Sequence, residues 1–346
     1  MFETRSRLHL GFNAEKDTGE FFNPVHLSMK EFITQNKFIF NALHGGAGED
    51  GSLQALFEKN GVRYNGSDVD VSRLCIDKGA TAEHIRNSAI RGVSALPSIS
   101  LSTDELLRIG ETNVRKKWNK YRRSLGARTL VIKPQDDGCS SGIAHLYTYA
   151  DFIAYIRIVR LKTKHIPAGT FRNQHEVIEM PTKVSQKFLI ERFVETDVLR
   201  VKQNRLKHRR ITGLVEITIG VIEQNSRLHV LNPSITIAEG DVLSVEEKFQ
   251  GGTGVNLTPP PVNIIRSSIV QKIKERIETL AQKIGIRGYA RIDCFANTRT
   301  GELSVIEINT LPGLTPSTVL YHQALAEDTP QYPRQFLEML IQNKGY

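Results

Sequence analysis

Arg287-Gly-Tyr-Ala-Arg-Ile-Asp-Cys-Phe-Ala296 and Leu303-Ser-Val-Ile-Glu-Ile-Asn309, joined by Asn297-Thr-Arg-Thr-Gly301, read as two strands and a turn. Side-chain direction repeats every two residues along a strand, so Arg291 and Asp293 share one face of the first and Glu307 and Asn309 one face of the second. A hairpin folded about Thr300 sets Asp293 opposite Glu307 and Arg291 opposite Asn309. Opposed carboxylates with Cβ atoms roughly 4.5–5.5 Å apart repel and destabilise the ladder unless a cation sits between them. An all-oxygen set of Asp, Glu and Asn suits Mg2+, which takes one or two carboxylates and leaves its other positions to water and nucleotide phosphates. The competing reading is the wet face of a surface hairpin.

A chain of 346 residues can bury a sizeable core and divides into two or three domains. Its three cysteines, Cys75, Cys139 and Cys294, are odd in number and widely spaced, which argues against a disulfide framework or a zinc site and favours a reducing, cytoplasmic setting. No apolar run approaches the roughly 18 residues a membrane span requires, and Met1 to Asn13 lacks the apolar core of a signal peptide. The net charge of +9 is scattered apart from Lys202 to Arg210, and no aromatic-interleaved motif accompanies it. The sequence therefore excludes a membrane or nucleic-acid partner, that cluster reads as a solvated loop, and the excess suits an anionic substrate such as a nucleotide.

Strands and helices take turns along the chain. Phe38-Ile-Phe-Asn-Ala-Leu43 is a short buried-strand pattern that ends at His44-Gly-Gly-Ala-Gly-Glu-Asp-Gly51, and Leu53, Leu56 and Phe57 then give a helical stripe that Gly61 closes. This is the grammar of an α/β domain. Segments 128–133, 187–194 and 213–222 are rich in β-branched residues, and Ile269, Ile273, Ile277, Leu280 and Ile284 mark an amphipathic core helix. The polar stretches Lys162 to Gln186 and Glu195 to Arg210 read as insertions or mobile loops. Asp137-Gly-Cys-Ser-Ser-Gly142 follows Lys133; such a loop can turn its amides toward a phosphate while Ser140 donates a hydroxyl hydrogen bond, although most Gly/Ser loops are only turns. Lys78 and Lys248, taken singly, read as solvated cations.

Taken in order, the segments His44 to Gly51, Asp77-Lys78, Lys133-Pro134 with Gly138 to Gly142, Leu189-Ile-Glu-Arg192, Glu216-Ile-Thr-Ile-Gly220, Glu247-Lys248-Phe249, Gly288 to Asp293 and Glu307 to Thr315 resemble the ATP-grasp superfamily and, within it, the D-alanine:D-alanine ligases. The resemblance runs from about Phe38 to about Thr318. It implies an α+β fold in which two ATP-grasp subdomains enclose ATP behind a Rossmann-like N-terminal domain, an ATP-dependent ligation through an acyl phosphate, and a place in peptidoglycan precursor synthesis. Lys78, Lys133 and Lys248 match the phosphate lysines; Glu191, Arg192 and Val194 match the adenine hinge; Glu216 matches the ribose carboxylate. Asp293, Glu307 and Asn309 match the Mg2+ ligands, with two ions expected and Mn2+ acceptable. Arg291 matches the oxyanion-stabilising arginine, and Gly138 to Gly142, with Ser140, a loop that closes over the phosphates. His44 is read either as a substrate-side contact or as a turn-capping residue.

The family usually has serine at Cys139 and tyrosine at Phe249, in a network with a glutamate of an early loop. No Gly-Gly-x-Ser-x-Glu pattern precedes Phe38. The expected organisation is thus a truncated N-terminal α/β domain over 1–77, a central subdomain over 78–190 and a C-terminal subdomain over 191–346 that carries the Mg2+ site. D-alanine is the expected substrate. Phe249 raises D-lactate or another amino or hydroxy acid as alternative acceptor, and a homodimer is compatible. The alternatives in other classes are a non-catalytic ATP-binding module and an incomplete half of a larger ligase.

Overall fold

The computed structural model describes residues 27–135, 141–202, 205–237 and 255–342. Two sheets dominate. The C-terminal sheet has five strands in the order Arg227–Val230, Leu214–Gln224, Tyr289–Asn297, Leu303–Asn309 and Val93–Ala95, the first four antiparallel and the last parallel to its neighbour. One face of it is continuous hydrocarbon: Val215, Ile217, Ile219, Val221, Ile292 and Cys294 pack against the helix Ser267–Ile284. That helix buries Ile269, Ile273, Ile277, Leu280, Ala281 and Ile284, the stripe its three- and four-residue spacing predicts. Each isoleucine taken from water contributes about 1.5–3 kcal/mol. Gly285 ends the helix at φ +87°, a left-handed conformation that costs glycine nothing, and its N–H and that of Ile286 both donate to the Ala281 carbonyl.

The central sheet is antiparallel, in the order Ser98–Ser102, Lys187–Arg192, Leu130–Pro134 and Ala144–Leu146. Helices Glu111–Ser124 and Tyr149–Leu161 cover its apolar face through Trp118, Tyr121, Phe152, Tyr155 and Ile156. The second helix starts at a capping box in which Thr148 and Asp151 satisfy each other's backbone N–H. Residues 78–95, next to this sheet in sequence, pack elsewhere: Ala82, Ile85, Val93 and Ala95 belong to the C-terminal core.

The N-terminal part holds a parallel pair, Phe38–Ile39 with Arg63–Tyr64, over Ile33, Phe57 and Val62. The expected strand through Leu43 stops short because side chains replace the ladder: Asn65 Oδ1 accepts the Asn41 N–H and Asn65 Nδ2 donates to the Asn41 carbonyl. Gly61, at φ +65°, follows the helix Ser52–Lys59 as its sequence suggests.

Two expectations are corrected. Glu195 to Arg210 is not a loop, because Val198–Lys202 and Arg205–Arg209 form an antiparallel hairpin whose Leu199 and Leu206 pack against the C-terminal core. Lys162 to Gln186 contains a short ladder, His165–Ile166 with Ile178–Glu179, and buries Ile166 and Phe171. Among the described residues no helix is long and apolar enough to cross a membrane. Cys75 and Cys294 are free and buried, and burial pushes both thiols well above their ordinary range.

Candidate active site

The hairpin 289–309 has the register its alternation predicts: Asp293 pairs with Glu307 and Arg291 with Asn309. A strictly alternating strand, however, would put Leu303 and Val305 on the same face as Glu307. The ladder avoids this with a bulge, since Cys294 next to Asp293 pairs with Val305 and leaves Ile306 as the extra residue. Leu303 and Val305 therefore enter the core, while the strand's last polar residues remain on the opposite face.

The opposed carboxylates, Asp293 buried and Glu307 half-buried, lie among cations. Arg291 Nε and Nη2 donate to Asp293 Oδ1 and Oδ2 at 3.2 and 3.1 Å, and Nη2 lies 3.9 Å from Glu307 Oε1. Lys78 Nζ stands 3.6 Å from Glu307 Oε2. Thr218 donates its hydroxyl to Asp293 Oδ1, and Asn309 Nδ2 donates to Glu307 Oε1 at 3.4 Å. Arg291 and Asp293 are 6% and 4% exposed, so each charge depends on the others rather than on water. Burial works against the Arg291 guanidinium, but the carboxylates of Asp293 and Glu307 beside it more than compensate and hold it protonated.

The central sheet contributes a second buried pair. Lys133 Nζ lies 2.7 Å from Glu191 Oε2, and neither residue is more than 8% exposed. Val131 pairs with both Glu191 and His145, so Lys133, Glu191 and His145 share one face of the sheet by parity. There His145 stacks on Phe193 at 3.8 Å between ring centres. Arg192 is exposed and Val194 half-buried just beyond the strand end. Glu216 lies two residues before Thr218 on the strand that pairs Thr218 with Asp293, and so shares the face of the carboxylates.

Lys78, Arg291, Asp293, Glu307 and Asn309 thus form one cluster and Lys133 with Glu191 another. The two are linked through the Lys78 N–H, which donates to the Gln135 carbonyl at 3.1 Å. His44 is set apart: its Nδ1 is 2.9 Å from both the Leu311 carbonyl and Glu49 Oε2, and Glu49 also accepts from the N–H groups of Gly45 and Leu311. Ser140, Lys248, Cys139 and Phe249 lie outside the described residues. The one signal in the sequence that finds Thr218 is its position two residues after Glu216. Among the described residues no three of His, Cys, Asp or Glu are arranged to hold a metal. Two carboxylates and the Asn309 amide are the oxygen donors, a set that fits Mg2+, which leaves much of its coordination to water and phosphate.

Residues 182–342 match the family model described as D-ala D-ala ligase C-terminus. The chain is 25% identical over 312 residues to the D-alanine–D-alanine ligase of Carboxydothermus hydrogenoformans, covering 88% of this chain and 83% of the relative. It is 27% identical over 293 residues to the vancomycin C-type resistance protein VanC2 of Enterococcus casseliflavus, covering 85% and 68%. Among solved structures, the D-alanine–D-alanine ligase of Bacillus anthracis complexed with ATP superposes with a TM-score of 0.62 at 20% identity, over 91% of this chain and 81% of that one. The VanG D-Ala:D-Ser ligase of Enterococcus faecalis gives 0.60 at 22%, over 88% and 72%. The two-sheet architecture is the ATP-grasp fold of these ligases.

Proposed function

We propose that this chain, a divergent relative of the D-alanine–D-alanine ligases, is an ATP-dependent carboxylate–amine ligase that forms D-alanyl-D-alanine. The observation that carries the reading is Arg291, buried between Asp293 and Glu307 with Lys78 beside them. ATP binding alone has no need of a donor placed for an oxyanion.

In this reading Lys78 and Lys133 take the nucleotide phosphates and Glu191 holds the Lys133 ammonium in place. Glu191, Arg192 and Val194 form the adenine hinge, and Glu216 takes the ribose hydroxyls. Asp293, Glu307 and Asn309 are the residues that hold Mg2+, in the fullest form two ions, with Mn2+ as a substitute. Bound there, the metal neutralises charge on the transferring phosphoryl group. The γ-phosphoryl group passes to a carboxylate oxygen of the first D-alanine, breaking its bond to the bridging oxygen and giving an acyl phosphate and ADP. The amine of the second D-alanine attacks the acyl carbon, whose oxygen becomes negative. Arg291 Nε and Nη2 are engaged with Asp293, but a guanidinium has five N–H donors, enough to serve that oxygen as well. Collapse expels phosphate, and the new amide nitrogen loses a proton. A homodimer is compatible with this reading.

Coupled detection of ADP tests it. ADP release that requires D-alanine and a divalent ion, with the dipeptide identified by mass spectrometry, is the expected result. Nucleotide binding without turnover on D-alanine, D-serine or D-lactate overturns it in favour of a binding module.

A further inference from the structure

Gln135 directly follows the strand that carries Lys133, is 4% exposed, and has both backbone groups and both ends of its amide engaged. Its N–H donates to the Lys187 carbonyl at 3.0 Å and its carbonyl accepts from the Lys78 N–H at 3.1 Å. Its Oε1 accepts from Ser100 Oγ, and its Nε2 donates to Asp77 Oδ1, each at 2.7 Å. The same Asp77 oxygen caps the helix Lys78–Ser88 by accepting from the N–H groups of Gly79 and Ala80. A Cβ at position 79 would come within 2.6 Å of Gln135 Nε2, so a larger residue there would displace the Gln135 amide.

The bonds on the two sides of Gln135 lead to different bodies. Lys187 and Ser100 belong to the central sheet, whereas the Lys78 helix buries Ala82 and Ile85 in the C-terminal core. Lys78 and Lys133 are therefore rooted in separate cores. Any relative movement of those cores changes the spacing of the two ammonium groups.

We propose that Gln135 is a positioning residue that latches the capped end of the Lys78 helix to the strand of Lys133, so that the two lysines are already spaced for the phosphates of one nucleotide. The proposal rests on the reading of those lysines as phosphate ligands. Two like charges aimed at one triphosphate move apart when nothing ties their supports together, and a binder not held in its bound geometry loses affinity to ordering. The latch is specific in its chemistry: an amide N–H meets a carboxylate oxygen on one side while the amide oxygen accepts a hydroxyl on the other.

The test exchanges donor and acceptor in the full chain. Gln135→Glu sets two carboxylates against each other, whereas Gln135→Glu with Asp77→Asn restores a donor–acceptor pair. Because one Asp77 oxygen takes all three bonds, the amide introduced at position 77 has to turn to keep its oxygen on Gly79 and Ala80 and bring its N–H to the carboxylate introduced at position 135, and the melting temperature reads the cost of that turn. Calorimetric titration with ATP and Mg2+ should show the single variant binding about tenfold more weakly and the double variant recovering to within about threefold. Adenosine, which has no phosphates, should bind all three proteins alike. ATP and adenosine affinities falling together, or a double variant that regains its melting temperature but not its ATP affinity, overturns the latch. Lys133→Met separates the two ideas: if it binds ATP as wild type does, the phosphate-lysine reading fails, and the latch with it.

Discussion

Asp293 faces Glu307 across one antiparallel hairpin, and Arg200 faces Lys207 across another. Both are like-charge pairs of the kind that destabilises a ladder. Asp293 is buried and Glu307 half-buried, and the molecule brings Arg291 and Lys78 to them within 4 Å. The cations are exposed, and beneath them Leu199 and Leu206 hold the hairpin to the core. Water and salt screen an exposed pair; a buried pair requires counter-charge supplied by the fold. Opposed like charges in a sequence therefore become informative only when burial is known.

The hardest test of this contrast is Arg291→Met, which leaves the buried Asp293 and the half-buried Glu307 with one counter-charge fewer. Turnover should fall by about 10²–10³ through loss of an oxyanion donor. The apo protein should lose about 3–5 kcal/mol, the usual cost of a buried charge stripped of its partner. Thermal melts with and without Mg2+ sharpen the point, because the ion should raise the variant's melting temperature more than that of wild type. An unchanged apo melting temperature would mean that Arg291 is not the counter-charge on which the carboxylates depend.

Asp197 gives a smaller effect at the base of the second hairpin, where its carboxylate accepts from the N–H groups of Ile211, Thr212 and Gly213 and bonds His208. Burial raises its pKa, but those hydrogen bonds, led by Ile211 and His208, outweigh it and hold the carboxyl below its ordinary value of 3.8. A depressed carboxylate pKa stabilises the fold above the unfolded value, and that contribution is lost as pH falls below it. Asp197→Asn should thus cost about 1–3 kcal/mol at pH 7, with the deficit shrinking toward pH 3. Hydrogen exchange of the hairpin amides reads the difference.

Arg200→Glu is the mildest probe. It turns the exposed opposed cations into an opposite-charge pair and should stabilise the hairpin by about 0.2–1 kcal/mol, less at high salt. A loss of stability would mean that Arg200 has a role its exposure does not reveal.

The fold was legible wherever a local period carried it. The Ser267–Ile284 stripe and the pairing of Arg291 with Asn309 and Asp293 with Glu307 follow from spacing alone, whereas the bulge at Ile306 does not. Alternation also runs through Val198 to Arg209, but the cations of its outer face obscure the Leu199 and Leu206 side, so the stretch reads as loop. The placement of residues 78–95 in the C-terminal core was not legible, since no local pattern encodes a parallel pairing of Val93 with Leu303. In the site, Asp293, Glu307 and Asn309 could be grouped by geometry, whereas their counter-charges could not. On sequence alone a metal ion sits between the carboxylates and Arg291 is a donor to substrate. In the fold Arg291 also holds the carboxylates together. Gln135 has no sequence signal, because a glutamine at a strand end acquires meaning only from Asp77 and Ser100 arriving beside it.

The extra residue at Ile306 has a consequence for how this chain can change over generations. Losing that codon would turn the bulge into a regular ladder while Asp293 kept Glu307 and Cys294 kept Val305. A codon lost from the turn at 297–301 would instead slide the partners past one another. Descendants of this protein can therefore differ in length at Ile306 and keep the same carboxylates opposed, so aligned relatives should tolerate a gap there more readily than at the turn.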